Sequence, residues 1–236
     1  RVLYRDEDLL ILSKPAGMLT TGIDTSSTLA EAAHQLDPKA LRLHPTSRLD
    51  RQVSGIVTFA RTPESNHLVL QARREGKYQR WYLGLCLGEL TPEAGDWTWS
   101  IGIDPVDPKR RKAVTESDGT ARAPKPARTT YRVMAQSPYM AACVLKPQTG
   151  RTHQLRVHAA TAGVPLMGDA LYHASKDVVL SDGRVCWAPR VMLHCARIHV
   201  VLRNGRDLTV ALGIPEDIQR VWGLTDTRRL SPEHVL

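Results

Sequence analysis

Ser47-Arg48-Leu49-Asp50-Arg51-Gln52-Val53-Ser54-Gly55-Ile56-Val57-Thr58-Phe59-Ala60 sets one carboxylate between two arginines, just ahead of an apolar run. Gly55 to Ala60 reads as a buried-type strand. Asp50 is therefore expected on a loop held by a rigid sheet, where reactive side chains tend to lie. Far along the chain comes Pro147-Gln148-Thr149-Gly150-Arg151-Thr152-His153-Gln154-Leu155-Arg156-Val157-His158. Together the two segments suggest a catalytic carboxylate in a polyanion-binding site. Each alone has a plainer explanation, a surface ion pair for the first and an amphipathic helix with a basic face for the second.

The elements around these segments follow from local signals. Leu9 to Ser13 reads as a strand ended by the turn Lys14-Pro15-Ala16-Gly17. Thr28-Leu29-Ala30-Glu31 has capping-box spacing and starts a short helix that stops before Asp37-Pro38. Thr62-Pro63 starts a second helix, with Pro at its first position and Gly76 as its stop. Arg80 to Leu87 reads as a strand. Asp104 to Arg128 reads as a long loop around the basic cluster Lys109-Arg110-Arg111-Lys112, with at most a short strand at Lys112 to Val114. Thr129 to Val133 and Ala141 to Lys146 form a hairpin around Ser137-Pro138. Arg151 to Ala162 is helix-like and closes at Gly163-Val164-Pro165. Val191 to Leu202 and Asp207 to Leu212 pair across Asn204-Gly205, a strong hairpin signal. Pro215 to Trp222 makes a last helix. The order is mixed, without regular strand-helix alternation, and argues for α+β with a largely antiparallel sheet. Residues 1–224 are expected to form one domain, with residues 225–236 a loose polar tail. The 104–128 segment is the best boundary between two halves of that domain.

Composition narrows the function. The net charge of +8 and pI near 9.6 favour an anionic partner: nucleic acid, an anionic membrane or a phosphorylated substrate. No apolar run approaches the roughly 18 residues of a membrane span, and no signal peptide is visible. The first residue is Arg1 rather than Met, which suggests a trimmed chain with an upstream part out of view. Cys86, Cys143 and Cys195 sit in apolar runs and read as small core residues, which fits a reduced, cytoplasmic setting. Cys186, His194 and Cys195 match no standard zinc spacing. Glycine-rich phosphate loops and dinucleotide fingerprints are absent. No metal or cofactor is expected.

Several side chains can carry chemistry. Arg156 lies between Leu155 and Val157, near the core, and a buried guanidinium needs an anionic partner. Asp50 is the candidate. Arg151, at the expected helix start, would make a phosphate site with the backbone N–H groups. Tyr82 is either a core residue or a stacking surface and acid-base group facing the carboxylate. Lys14 reads as an ordinary turn lysine or as part of the site.

The chain resembles the RluA-type pseudouridine synthases. The resemblance rests on Lys14-Pro15-Ala16-Gly17, on Arg48-Leu49-Asp50 with Ser54-Gly55, on the Tyr82 strand closed by Gly88, and on Thr149 to His158 followed by Gly168-Asp169-Ala170-Leu171-Tyr172. Pro189-Arg190 to His194 also looks like a late strand of the family. Ser47 stands where the family box usually has histidine, and Val53 where threonine is common. The resemblance implies a pseudouridine synthase fold, with a mixed, mostly antiparallel central sheet flanked by helices and no S4-like N-terminal domain in this chain. It implies isomerisation of a specific uridine in rRNA or tRNA, without cofactor or metal. Asp50 would be the catalytic carboxylate, kept ionised by Arg156, with Tyr82 stacked on the base. Arg48 would fill the space left by the flipped uridine, and Arg151, Lys14, His153 and Gln154 would contact RNA. Nothing demands a protein partner or more than a monomer. Two other classes stay open: a non-catalytic RNA-binding protein of the same fold, and a glycoside hydrolase with a carboxylate nucleophile, for which no second carboxylate lies near Asp50.

Overall fold

A computed structural model describes residues 1–22, 27–38, 40, 43–226 and 230. In chain order the first elements are β1 (Val2–Arg5), β2 (Leu9–Lys14), α1 (Leu29–Leu36), β3 (His44–Pro45), β4 (Ser54–Ala60), α2 (Pro63–Arg74) and β5 (Tyr78–Leu87). Then come β6 (Ala94–Trp97), β7 (Ile101–Ile103), β8 (Arg111–Ala113), β9 (Arg122–Lys125), β10 (Thr129–Gln136), β11 (Met140–Pro147) and α3 (Gln154–Thr161). A 3-10 turn at Ala170–Tyr172 follows, then β12 (Asp177–Val179), β13 (Val185–Trp187), β14 (Leu193–Val201), β15 (Asp207–Ala211) and α4 (Glu216–Gly223). The fold is α+β. No helix among the described residues is long and apolar enough to cross a membrane.

The chain divides into two compact units. The first holds Arg1–Arg80 and His194–Gly213, the second Trp81–Leu193 and Ile214–Leu236. The divisions fall inside β5 and at the start of β14, whereas the 104–128 segment lies wholly within the second unit.

In the first unit β4 runs between β2, antiparallel to it, and β14, parallel to it through His194↔Ser54 and Cys195↔Gly55. All seven β4 residues are buried, which is why its sequence shows no polar alternation. Gly55 sits at φ +126°, and a Cβ there would lie 2.4–2.7 Å from the Cys195 backbone. Only glycine fits that approach. Thr28 caps α1 through the expected box with Glu31, and Thr62 caps α2 with Pro63 in its first turn. Gly76 follows α2 at φ +71°. The Asn204-Gly205 turn joins β14 to β15.

In the second unit β5, β11, β10 and β6 pair antiparallel in that order. The segment read as a loop carries two strands. β8 and β9 both pair with β7 and bury Ile101, Ala113 and Ala127 against Val157 of α3 and Tyr172. Every residue of β9 is exposed, so no hydrophobic alternation marks it. The β12–β13 ribbon was also unanticipated; its outer face carries Val179, Val185 and Trp187 exposed to solvent. α3 starts at Gln154, not Arg151, with His153 as N-cap in the left-handed region at φ 57°. α4 is docked by Arg190, whose guanidinium takes both Asp217 oxygens at 2.7 and 3.0 Å. Most of the expected polar tail lies outside the described residues; Leu230, within it, is buried and exchanges hydrogen bonds with Gln219 of α4. All four cysteines are buried thiols.

Gly55→Ala should cost about 2–3 kcal/mol or more, because strain and a backbone clash add. Gly76→Ala, with φ +71° but nothing within 4 Å of the added Cβ, should cost about 1 kcal/mol. Urea denaturation of both variants checks the difference; equal losses would refute the close approach of the two strands.

Candidate active site

Lys14, Arg48 and Asp50 belong to the first unit; Tyr82, Arg151, His153, Gln154 and Arg156 belong to the second. The Asp50 loop is fixed through its backbone. Thr20 Oγ1 donates to Leu49 O at 2.9 Å and accepts from Leu49 N at 3.1 Å. Gly17 N donates to Arg51 O at 2.8 Å, and Val53 N to Asp50 O at 3.0 Å. Arg73 donates to Thr46 O. Ser47 and Leu49 point inward, Arg48 and Arg51 are exposed, and Asp50 is half-buried.

Lys14 is the main departure from the expected RNA contacts. It is 1% exposed. Its Nζ donates to Pro15 O at 3.0 Å, Met18 O at 2.7 Å and Arg51 O at 3.2 Å. An ammonium has three donors, and the turn together with the Asp50 loop supplies three carbonyls. The charge holds two pieces of backbone together and is out of reach of a phosphate.

In the second unit Gln154 departs in the same way. Its Oε1 accepts from Thr149 Oγ1 at 2.7 Å and Arg151 N at 3.0 Å. Its Nε2 donates to Arg128 O at 2.9 Å and Thr129 Oγ1 at 3.0 Å. Trp99 O can only accept, so His158 Nε2, 3.0 Å away, carries the proton. Nδ1 then accepts from Thr129 Oγ1 at 2.9 Å. The bonds run in one direction from Thr149 through Gln154 and Thr129 to His158, and each polar atom is satisfied. His158 is 0% exposed, and burial lowers its pKa from 6.5, opposed only by the bond to Trp99.

Arg151 donates through Nε to Pro126 O at 2.9 Å and is half-buried. His153 Nδ1 lies 2.8 Å from the Tyr172 hydroxyl. Tyr82 is buried in β5 opposite Leu145. Arg156 is buried as expected, and its carboxylate partner in the same unit is Asp169, which takes Nε and Nη2 at 2.7 Å each. Sequence reasoning gave Asp169 no role, although it stands in the Gly168-to-Tyr172 motif and a buried arginine calls for an anion.

The sequence profile of the RNA pseudouridylate synthases matches residues 8–161. The chain belongs to that family. It is an isomerase acting on RNA. Ribosomal large subunit pseudouridine synthase D of Nitrosomonas europaea is 31% identical over 92% of this chain and 63% of its own length. tRNA pseudouridine synthase C of Haemophilus ducreyi is 30% identical over 84% of each chain. An uncharacterized RNA pseudouridine synthase of Zymomonas mobilis is 29% identical over 92% of this chain and 94% of its own. The solved structure of human RNA pseudouridylate synthase domain containing 4 superposes with a TM-score of 0.73 at 23% identity, covering 93% of this chain and 90% of that one. That likeness speaks for the fold.

The family box thus falls on a loop held at Thr46, Leu49, Asp50 and Arg51 by hydrogen bonds to its backbone. Lys14→Met should cost about 2–3 kcal/mol by leaving buried carbonyls unpaired, and lower turnover by loosening the Asp50 loop. Full activity and an unchanged melting temperature would refute the clamp. His158→Gln tests the polar chain through pH. A pKa lowered on folding gives stability that is present above about 6.5 and lost as pH falls, because the unfolded chain takes up the proton first. The stability difference between wild type and His158→Gln should therefore shrink between pH 7.5 and 5. A constant difference in urea midpoint would show that His158 does not titrate as described.

Proposed function

We propose that this synthase converts a specific uridine of structured rRNA or tRNA to pseudouridine, with Asp50 as the catalytic carboxylate. The observation that carries the reading is the Asp50 loop: a half-buried carboxylate on a backbone pinned by Lys14, Gly17 and Thr20, one turn before the fully buried β4. Preorganisation of this kind suits a group that must meet a reacting centre with little freedom. The N1–C1′ bond of uridine breaks, the base turns, and C5 bonds to C1′. The C5 proton leaves and N1 regains one, so the reaction is a net isomerisation. Asp50 stabilises or traps the electron-poor centre, the demand that glycosidases place on a carboxylate.

The other proposed roles rest on side-chain chemistry, since Tyr82 and Arg156 are themselves buried. Tyr82 offers the base a ring to stack on, and Arg156 offers the reaction a positive charge. Exposed Arg48 fills the space vacated by the flipped uridine, whose unstacking costs a few kcal/mol. Arg151 and the net charge of +8 favour the backbone of the RNA. The names of relatives acting on ribosomal large subunit RNA and on tRNA support structured RNA as the substrate class.

Asp50→Asn should abolish tritium release from [5-³H]uridine-labelled RNA while RNA affinity stays within about threefold. Wild-type release would remove Asp50 from the mechanism. Mapping pseudouridines in total RNA with and without the protein identifies the target; an unchanged map with retained RNA binding would favour a non-catalytic RNA-binding protein.

A further inference from the structure

Asp169 and Tyr172 meet Arg156 from two directions. The Asp169 carboxylate grips one edge of the guanidinium, Oδ2 to Nε and Oδ1 to Nη2, both at 2.7 Å. Arg156 is 8% exposed and Asp169 1%. Arg156 Cζ also lies 5.1 Å from the centre of the Tyr172 ring, within cation–π range. A fork gripped on one edge and set against a ring has few orientations left.

The two gripping residues are themselves fixed. Gly168 holds φ +81°, and a Cβ there would lie 2.0 Å from Arg190 O. Asp169 N donates to Leu166 O at 3.1 Å, and Asp169 O accepts from Tyr172 N at 3.0 Å and Ala174 N at 3.1 Å. The Tyr172 hydroxyl accepts from Arg111 N at 3.0 Å and lies 2.8 Å from His153 Nδ1. The hydroxyl thus bridges Arg111 N and His153 Nδ1. The left-handed His153 at the head of α3 is thereby tied to the same ring.

For stability alone a buried ion pair is a poor device, because well-packed apolar residues of similar volume do as well or better. What the pair adds is direction. The grip on Nε and Nη2 turns Nη1 and the outer Nη2 proton away from Asp169.

We propose that Asp169, with Tyr172, is a positioning residue that aims this outer edge of Arg156 at a second anion of the reaction. The inference rests on the reading of Arg156 as part of the active site.

The test is single-turnover conversion of saturating RNA, with RNA affinity measured separately. Asp169→Asn keeps the shape but points an amide donor at the guanidinium. Its rate should fall about 100-fold, the loss expected for a small misplacement of a reacting group, with affinity within about threefold. Arg156→Met should be at least as slow, and Arg156→Met/Asp169→Leu, an apolar pair expected to fold, no slower than Arg156→Met alone. A wild-type rate for Asp169→Asn beside a slow Arg156→Met overturns the positioning role and leaves the active-site reading intact. A wild-type rate for Arg156→Met overturns that reading itself. A double variant slower than Arg156→Met overturns action through Arg156. Should Asp169→Asn not fold, Asp169→Glu keeps the charge and shifts the grip by one methylene. Loss of rate with affinity retained then supports the proposal, and a wild-type rate overturns it.

Discussion

The backbones of β4 and β14 come so close at Gly55 and Cys195 that no side chain fits between them, and the order of the first unit depends on that contact. It seats β4 in parallel with β14 while β2 runs antiparallel on the other side. β2 ends at Lys14, and β4 begins just after the Asp50 loop. The Lys14↔Gly55 register therefore sets the turn at Lys14–Met18 beside the loop that needs it. A buried ammonium is costly without partners. Here the partners are the carbonyls of the two segments to be joined, so the cost of burial becomes a constraint on the loop.

The second unit achieves the same end with neutral groups. Gln154 brackets the residues ahead of α3, and His158, one turn along the helix, completes the chain to Trp99. A left-handed His153 would be strained for most residues; the hydrogen bond to Tyr172 and the packing of α3 hold it. Asp169 and Tyr172 are thus placed by the same turn that orders the start of α3.

Much of this could be read in the chain because some signals are local. Thr28 to Glu31, Thr62-Pro63 and Asn204-Gly205 each fix a cap or turn within four residues, and each stands where expected. β8 shows in the sequence only as the short strand expected at Lys112 to Val114, while β9 is hidden because its partner β7 is remote in sequence and because β9 itself buries nothing. The site residues divide by the same rule. Burial of Arg156 followed from its apolar neighbours, but the identity of Asp169 depended on a turn that no spacing reveals. Lys14 and Gln154 were assigned to RNA because long polar side chains suggest exposure. Tight turns make their own acceptors, and that is settled only by backbone geometry.

Charge shows why the distinction matters for function. A net +8 invites every basic residue to be counted toward RNA, yet several of the 32 lysines and arginines are engaged inside the fold, in pairs that leave the net charge unchanged. Lys14 is caged by carbonyls, and Arg61, Arg156 and Arg190 are bound to Asp37, Asp169 and Asp217. Even the cluster at Lys109–Lys112, of which only Lys109 is fully exposed, is partly engaged: Arg110 lies 3.7 Å from Asp104, and Lys112 holds the Asp118 carboxyl down to about 2. A cation already facing a carboxylate releases little counterion when it meets a phosphate. Affinity for RNA should therefore follow the exposed arginines and lysines outside these pairs, Arg48 before β4 and Arg122 and Lys125 on β9 among them, while the paired arginines govern geometry. Substitutions in the two groups then separate by salt dependence: the first changes its slope, and the second changes rate at constant slope.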